Sequence, residues 1–160
     1  MISGSSGVGK GTVIKQFLTK HPDFKLSVSC TTRKPRDGEI DGVNYFFISE
    51  VEFENNIKNN KFLEWAKFAD NFYGTKKKYI QDGLNSGKNF ILEIDTQGAL
   101  QVKNEMPDAV LIFIAPPSFD ALKARLLRRG TESEDVILER LEKAHRELTL
   151  AAGYDYIVIN

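Results

Sequence analysis

A glycine-rich segment near the start of the chain constrains its fold more than any other feature. Residues 4–10 read G-S-S-G-V-G-K, which matches the pattern G-x-x-x-x-G-K, and apolar residues recur at helical spacing over the next ten positions. In a strand–loop–helix unit of this kind, backbone N–H groups and the helix N-terminus face a phosphate group, and the lysine adds a positive charge. We therefore predict a helix over Gly11–Lys20 and a loop that binds nucleotide phosphates, made of Gly4, Ser5, Ser6, Gly7, Val8, Gly9, Lys10, Gly11 and Thr12.

One position departs from the common form of this loop. Gly11 stands where a Ser or Thr would contact a magnesium ion. The hydroxyl of Thr12 would take over that contact, or water and phosphate alone would hold the ion. A glycine-rich turn without a ligand is the alternative for the whole segment, but the helix that follows favours phosphate binding.

Short apolar runs alternate with amphipathic stretches along the chain, a pattern typical of α/β proteins with a parallel sheet. The runs predict strands that are covered on both faces, at Leu26–Ser29, Phe90–Asp95, Ala109–Ala115 and Tyr156–Ile159. Ser118 is the predicted N-cap of a helix that ends near Arg128. Thr131 and Glu134 form a capping box that predicts a further helix.

The stretch 32–79 has a different pattern. Apolar and polar residues alternate over Phe62–Phe68, which predicts a half-exposed strand of the antiparallel type. Tyr45–Ile48 predicts a second strand, and a capping box at Ser49 opens a short helix to about Asn59. We interpret this stretch as a β-rich lobe inserted into the α/β core.

Two carboxylates, Glu93 and Asp95, lie at the end of the predicted strand Phe90–Asp95. Alternation along a strand places both on one side of the sheet, and the carboxyl ends of parallel strands are where α/β sheets bind ligands. Such groups suit a magnesium ion, directly or through water, or the N–H donors of a base. A solvated strand end is the alternative.

Arginines cluster in two places. Arg33 and Arg36 lie in a Pro-containing turn, where their guanidinium groups could bind a phosphate in a bidentate manner, with hydroxyl groups from Tyr45 and Tyr73. A second set surrounds the turn at residue 130 and consists of Arg125, Arg128, Arg129 and Arg140. A helix–turn–helix there could swing over a nucleotide and bring positive charge to a transferring phosphoryl group. A solvated basic loop and salt bridges to nearby acids are the alternatives.

The composition argues against several other functions. Lys plus Arg and Asp plus Glu number 22 each, so we expect no broad surface for nucleic acid or an anionic membrane. His21, His145 and the single Cys30 leave no zinc cluster and no internal disulfide. The longest apolar run, 109–115, is too short to span a bilayer, and no leader follows the first residue. We therefore expect a cytoplasmic protein.

Taken together, the motifs resemble the guanylate kinase family over nearly the whole chain. The resemblance rests on the segments 3–12, 27–36, 42–47, 62–66, 73–75, 92–98, 114–118 and 129–132, in this order. It implies a three-layer P-loop kinase fold with a five-stranded parallel core sheet (1–32, 81–125 and 145–160), a GMP-binding lobe at 33–80 and a helical lid at 126–144. Only three residues precede the loop, and the chain stops directly after a predicted strand, so we expect a core that is shortened at both ends.

The resemblance also implies a reaction, ATP + GMP → ADP + GDP with Mg²⁺, carried out by a monomer or a homodimer. It gives catalytic roles to Lys10, Arg129 and Arg140, and it leaves Thr12, Glu93 and Asp95 as candidates for the metal. The implied GMP-binding residues are Ser29, Arg33, Arg36, Tyr45, Glu64, Tyr73, Gly74, Thr75 and Asp95. This set suits guanine, because Glu64 can accept from N1–H and N2–H₂ while the hydroxyls of Ser29 and Thr75 donate to O6.

Two other functions remain open at this point. Some guanylate-kinase-like domains are interaction modules without catalysis, but here Lys10 and the loop glycines are intact. A kinase for another nucleoside monophosphate is the second alternative, and the group of Glu64, Ser29 and Thr75 favours guanine over adenine.

Overall fold

A computed structural model of the chain describes residues 1–128 and, apart from the side chains of residues 134 and 135, residues 134–160. Its helices are α1 (Lys10–Lys20), α2 (Glu50–Lys58), α3 (Lys77–Asn85), α4 (Thr96–Glu105), α5 (Phe119–Arg128) and α6 (Glu134–Thr149), followed by a 3₁₀ turn (Leu150–Gly153). Its strands are β1 (Ile2–Gly4), β2 (Phe24–Leu26), β3 (Cys30–Thr31), β4 (Phe46–Phe47), β5 (Phe62–Phe68), β6 (Asn71–Lys76), β7 (Asn89–Ile91), β8 (Ile112–Ala115) and β9 (Tyr156–Ile159).

Parallel strands form the core of the α/β fold, as the alternating pattern predicts. Strands β1, β8 and β9 pair in the order β1-β8-β9, and β2 pairs with β7. A single bridge between Ile2 and Glu93 links the two groups, and the Ile2 N–H donates to the Leu92 carbonyl at 2.8 Å. Strand β8 lies between β1 and β9, and its Phe113 and Ile114 are almost without solvent contact.

Three of the predicted core strands differ from their apolar runs. Strand β8 begins at Ile112 rather than Ala109, because its pairing with β1 and β9 begins only there. Strand β2 spans Phe24–Leu26 rather than the predicted Leu26–Ser29, because the chain leaves the core after Leu26 and enters a second sheet at Cys30. Strand β7 ends at Ile91, since beyond it the backbone pairs with Ile2 through one bridge only. The expectation that β9 is covered on both faces is also wrong for this chain, because all four of its residues are exposed.

The inserted segment builds a second sheet of four strands in the order β4-β3-β6-β5. Strand β3 is parallel to β4 and antiparallel to β6, which forms a hairpin with β5. Helix α2 begins as predicted, because the Ser49 Oγ accepts from the Glu52 N–H at 3.1 Å. Phe53 of this helix stacks on Phe62 and Phe72 with ring centres 4.3 and 5.3 Å apart. This aromatic cluster holds α2 on the sheet.

Strand β5 has the predicted bounds but not the predicted alternation. Phe62, Leu63 and Glu64 are buried in succession, and Trp65 is the first exposed residue. The reason is a shift of register between Phe62 and Glu64 in the pairing with β6. This irregularity places the Glu64 carboxylate in the interior.

Helices α5 and α6 pack together beside the core. The Ser118 Oγ accepts from the Ala121 N–H at 3.1 Å, so the predicted cap of α5 is confirmed. Leu122 and Leu126 of α5 pack against Ile137 and Ala144 of α6. The predicted capping residue Thr131 lies outside the described residues. Within the two described ranges, no helix has the length and apolar character needed to cross a membrane.

Candidate active site

The glycine-rich loop connects β1 to α1, as predicted. Gly7 and Gly9 have φ angles of +87° and +91°, which residues with a side chain rarely adopt. A Cβ atom on Gly7 would also lie 2.7 Å from the Leu126 Cδ2 of α5, so the loop and α5 approach closely there. Gly9 is the N-cap residue of α1. The N-terminus of this helix, with its backbone N–H groups, therefore lies at the end of the loop.

Lys10, the first residue of α1, turns its ammonium group back over this loop. Its Nζ donates to the carbonyl oxygens of Gly4 at 2.6 Å and Ser5 at 3.1 Å. Burial lowers the pKa of Lys10, and the nearby carboxylates of Glu93 and Glu147 oppose that shift. A positive charge in partly dry surroundings is well placed to attract phosphate oxygens.

Three polar side chains from later in the chain also reach the loop. Arg140 of α6 donates from Nη1 to the Ser6 Oγ at 3.1 Å. Arg125 of α5 and the amide of Asn160 both donate to the Val8 carbonyl, at 3.1 and 2.7 Å. The loop is therefore tied to α5, α6 and the end of β9. Arg129, the other predicted catalytic arginine, lies outside the described residues.

A cavity of about 470 Å³ lies between the loop, the inserted sheet and α6. Eleven of the sequence-predicted site residues line it, namely Gly4, Ser6, Lys10, Ser29, Tyr45, Glu64, Tyr73, Gly74, Glu93, Asp95 and Arg140. A larger cavity of about 880 Å³ has mostly apolar walls, for example Phe17, Phe24 and Phe90. Because the smaller cavity holds the convergent charged and polar groups, we take it as the candidate active site.

Glu64 and Ser29 line this cavity, and Thr75, a predicted site residue that is fully buried behind them and does not line it, completes a hydrogen-bonded chain. Thr75 donates from Oγ1 to the Glu64 Oε1 at 2.6 Å, and the Ser29 Oγ lies 3.3 Å from the Thr75 Oγ1. Burial raises the pKa of Glu64 to about 7, while the hydrogen bond from Thr75 opposes the rise. The group can therefore accept hydrogen bonds as a carboxylate at neutral pH and above.

Asp95 and Glu93 lie on the same wall, beside Lys10. Asp95 is the N-cap of α4, where its Oδ1 accepts from the Gly98 N–H at 2.7 Å. Nowhere in 1–128 or 134–160 do three or more His, Cys, Asp or Glu residues come together as a metal cluster. Two carboxylates that face a phosphate-binding loop nevertheless fit Mg²⁺, which takes one or two protein carboxylates and completes its shell with phosphate oxygens and water. Thr12 is exposed and does not line the cavity.

The two arginines of the predicted phosphate-binding turn do not line the cavity. Both terminal nitrogens of Arg33 donate to the Glu39 carboxylate, at 2.9 Å each, and the guanidinium lies 5.5 Å from the centre of the Tyr45 ring. The backbone N–H of Arg36 donates to the same carboxylate at 2.8 Å, and its side chain is exposed. The sequence analysis missed Glu39, although it lies only six residues from Arg33.

Sequence analysis also missed three other residues that line the cavity. Lys143 and Glu147 belong to α6, on the same face as Arg140, and the Lys143 Nζ lies 3.9 Å from the Glu147 Oε1. The Lys143 Nζ also lies 4.9 Å from the ring centre of Phe68, at the end of β5. This contact joins α6 to the inserted sheet across the cavity. The spacing 140, 143 and 147 is helical and could have indicated the shared face.

The fold and the site define a class of protein. A glycine-rich phosphate-binding loop follows a strand of a parallel sheet, and an inserted sheet adds polar groups to the same cavity, which is the arrangement of a P-loop nucleotide-binding protein of the α/β class. Comparison with known proteins gives the family. The family model described as guanylate kinase matches residues 1–160, so the chain belongs to the guanylate kinase family.

Individual relatives agree with this assignment. The chain is 52% identical to the guanylate kinase of Caldanaerobacter subterraneus subsp. tengcongensis over 160 residues, which is all of this chain and 78% of the relative. It is 54% identical to the guanylate kinase of Bacillus anthracis, with the same coverage of both chains. The crystal structure of guanylate kinase from Anaplasma phagocytophilum superimposes with a TM-score of 0.74 at 33% identity, covering 99% of this chain and 74% of that one.

Proposed function

We propose that this chain transfers the terminal phosphoryl group of ATP to GMP and releases ADP and GDP. The main support is that Lys10 of the phosphate-binding loop lines the same cavity as Glu64 of the inserted sheet. A triphosphate on the loop and a guanine base on the inserted sheet would therefore share the same space. No covalent intermediate is needed, because alignment and charge neutralisation account for catalysis of phosphoryl transfer.

Recognition of guanine rests on the direction of the hydrogen bonds. Glu64 and Asp95 offer acceptors for N1–H and N2–H₂, and the Ser29 hydroxyl acts as a donor to O6. Thr75 gives its single hydroxyl hydrogen to Glu64 and so holds the carboxylate that accepts from the base. Adenine presents the opposite pattern, so it would leave buried polar groups unpaired. Discrimination of this kind reaches roughly 10⁴-fold in other enzymes.

The phosphate of GMP would bind at the other end of the inserted sheet. Tyr45 and Tyr73 line the cavity with their ring centres 6.0 Å apart, and Gly74 lines it next to Tyr73. Arg33 lies next to Tyr45, and its guanidinium group is paired with the Glu39 carboxylate. We propose that Arg33 and Arg36 turn towards the phosphate when GMP binds, so that the phosphate competes with Glu39 for Arg33.

The charge of the transferring group would be neutralised from the loop and from the helical lid. Lys10 contacts the phosphates of ATP, and Arg140, held near Ser6, approaches the migrating phosphoryl group together with Arg129. Closure of a lid at 126–144 would exclude water, which otherwise competes with GMP as acceptor. When bound, Mg²⁺ would neutralise phosphate charge, and Glu93 and Asp95 are the residues of the cavity that would hold it, whereas Thr12 lies outside the cavity.

The proposal includes the finer organisation of the chain. The bridge between Ile2 and Glu93 supports one five-stranded parallel core sheet in the order β2-β7-β1-β8-β9. Three strands of the second sheet, β4, β5 and β6, support a GMP-binding lobe at 33–80, and β3 joins them from the end of the core segment 1–32. The other core segments are 81–125 and 145–160. We propose a cytoplasmic enzyme of purine nucleotide metabolism that works as a monomer or a homodimer.

A nucleotide-pair screen tests the proposed function. ATP or GTP is combined with GMP, AMP, UMP or CMP in the presence of Mg²⁺, and release of the nucleoside diphosphates is followed by chromatography. We expect ADP and GDP in equal amounts from ATP and GMP. Turnover of another monophosphate in preference to GMP would indicate a related kinase. Binding of peptides without any turnover would indicate an interaction module.

A further inference from the structure

Gly98 lies between the two carboxylates of the base site. It is the third residue of α4, it is buried, and its N–H donates to the Asp95 Oδ1 at 2.7 Å. A Cβ atom built on Gly98 would lie 2.8 Å from the Glu64 Oε2 and 3.4 Å from the Asp95 Oδ1. Glu64 therefore reaches across from β5 and ends against the backbone of α4.

The backbone conformation of Gly98 does not require a glycine at this position. Its φ angle is not among the positive ones, and α4 continues for seven residues beyond it. Alanine favours a helix over glycine at such a position, so helix propensity works against the residue present. The nearest atom that a methyl group would meet is the end of a flexible side chain. The fold could therefore accept the methyl group by moving the Glu64 carboxylate.

We propose that Gly98 is a positioning residue for guanine recognition, because the space it leaves fixes the Glu64 carboxylate beside Asp95. The inference rests on the proposed function, since it assigns Gly98 to the base site of the GMP reaction. Glu64 is held from two directions. Thr75 donates to its Oε1 at 2.6 Å. The backbone of α4 at Gly98 restricts the position of its Oε2. A methyl group on Gly98 would push the carboxylate away from α4 and out of line with the base.

The test is the variant Gly98→Ala, with Gly153→Ala as the matched control. Gly153 is also in a helical turn without a positive φ, and a Cβ there would meet nothing within 4 Å. For Gly98→Ala we expect the GMP KM to rise about tenfold or more, as for loss of a hydrogen bond to a charged group. The kcat at saturating GMP and the ATP KM should stay within about twofold, and thermal unfolding should occur at the same temperature or higher.

A second background shows whether Gly98 acts through Glu64. In Glu64→Ala the carboxylate is gone, so adding Gly98→Ala should change the GMP KM by less than about twofold. An equal rise in KM in both backgrounds would overturn the inference, as would an unchanged KM in the single variant. A clear fall in the unfolding temperature of Gly98→Ala would also overturn it, because the glycine would then serve packing.

The proposed function fails in a different way. If the unaltered chain produces no GDP from ATP and GMP, the proposed function and this inference fail together. If the unaltered chain is active on GMP and Gly98→Ala behaves like Gly153→Ala, only the inference fails.

Discussion

The hydroxyl of Thr75 donates a 2.6 Å hydrogen bond to the carboxylate of Glu64, and both residues are buried where β5 and β6 pair. The bond fixes one carboxylate oxygen and leaves the other beside α4. When Glu64 is ionised, as it is above pH 7, this bond is charge-assisted and therefore stronger than a bond between neutral groups. The hydrogen bond from Thr75 therefore positions the Glu64 carboxylate within the base site.

Removal of the Thr75 hydroxyl should loosen this arrangement. Thr75→Val keeps the shape of the side chain but cannot donate, so Glu64 loses its fixed position and its pKa should rise further. We expect the GMP KM to increase about five- to thirtyfold, with little change in the ATP KM. Steady-state kinetics measure both constants, and Thr19→Val, at an exposed position of α1, is the control. An unchanged GMP KM would separate Thr75 from base recognition.

Glu64→Gln should weaken recognition of GMP more specifically. The amide is almost the same size, but its NH₂ group would face the N–H donors of guanine. We expect about a ten- to hundredfold rise in the GMP KM and a smaller preference for GMP over AMP. Glu54→Gln, on the exposed side of α2, is the matched control. A full preference for GMP in Glu64→Gln would remove Glu64 from the base site.

The pH dependence of GMP binding should report the ionisation of Glu64. Its pKa, raised to about 7 by burial, means that the folded protein holds this proton more tightly than the unfolded chain does. The carboxylate form that accepts from guanine therefore appears as pH rises through 7. Between pH 6 and 8 the GMP KM should fall by about tenfold more than it does in Glu64→Gln, which lacks this carboxyl group. Parallel pH profiles for the two proteins would contradict this assignment.

The same raised pKa predicts that the free energy of unfolding falls as pH rises, whereas GMP binding becomes stronger. Ionisation of buried Glu64 is unfavourable, so its contribution to the free energy of unfolding is fully present below the unfolded pKa of about 4.5. It is lost as pH rises towards 7 and beyond, by about 3 kcal/mol in all. Urea unfolding of the nucleotide-free protein at pH 5 and pH 8 measures it, and Glu64→Gln should show a smaller difference between the two.

Lys10→Ala should lower kcat by roughly 10²-fold or more, because the charge that neutralises the transferring phosphoryl group is lost. The same change removes the hydrogen bonds to the carbonyls of Gly4 and Ser5 that hold the loop. Lys15→Ala, at an exposed position of the same helix, should leave kcat unchanged. Near-normal kcat in Lys10→Ala would exclude the lysine from the mechanism.

Local patterns in the sequence were sufficient for much of the fold. The loop and α1 follow from the spacing of glycines, Lys10 and apolar residues, and the caps at Ser49 and Ser118 involve atoms only three residues apart. Helix α4 was missed because its N-cap, Asp95, was interpreted only as a ligand. Strand pairing decides where β2 and β7 end, and no local pattern contains that information.

The candidate site was predictable in its residue types but not in its contacts. Glu64 is buried because of a register shift between two strands, which the alternation of residues 62–68 did not indicate. The pairing of Arg33 with Glu39 and the approach of Lys143 to Phe68 depend on the tertiary arrangement. The resemblance to a family supplied the list of residues, and the structure shows how they meet.

The most direct test compares kcat/KM for GMP and AMP with saturating ATP and Mg²⁺ at pH 8, where Glu64 is ionised. The arrangement of Glu64, Thr75 and Ser29 predicts a preference for GMP of about 10³-fold or more. Equal values for the two nucleotides, or a preference for AMP, would contradict the account.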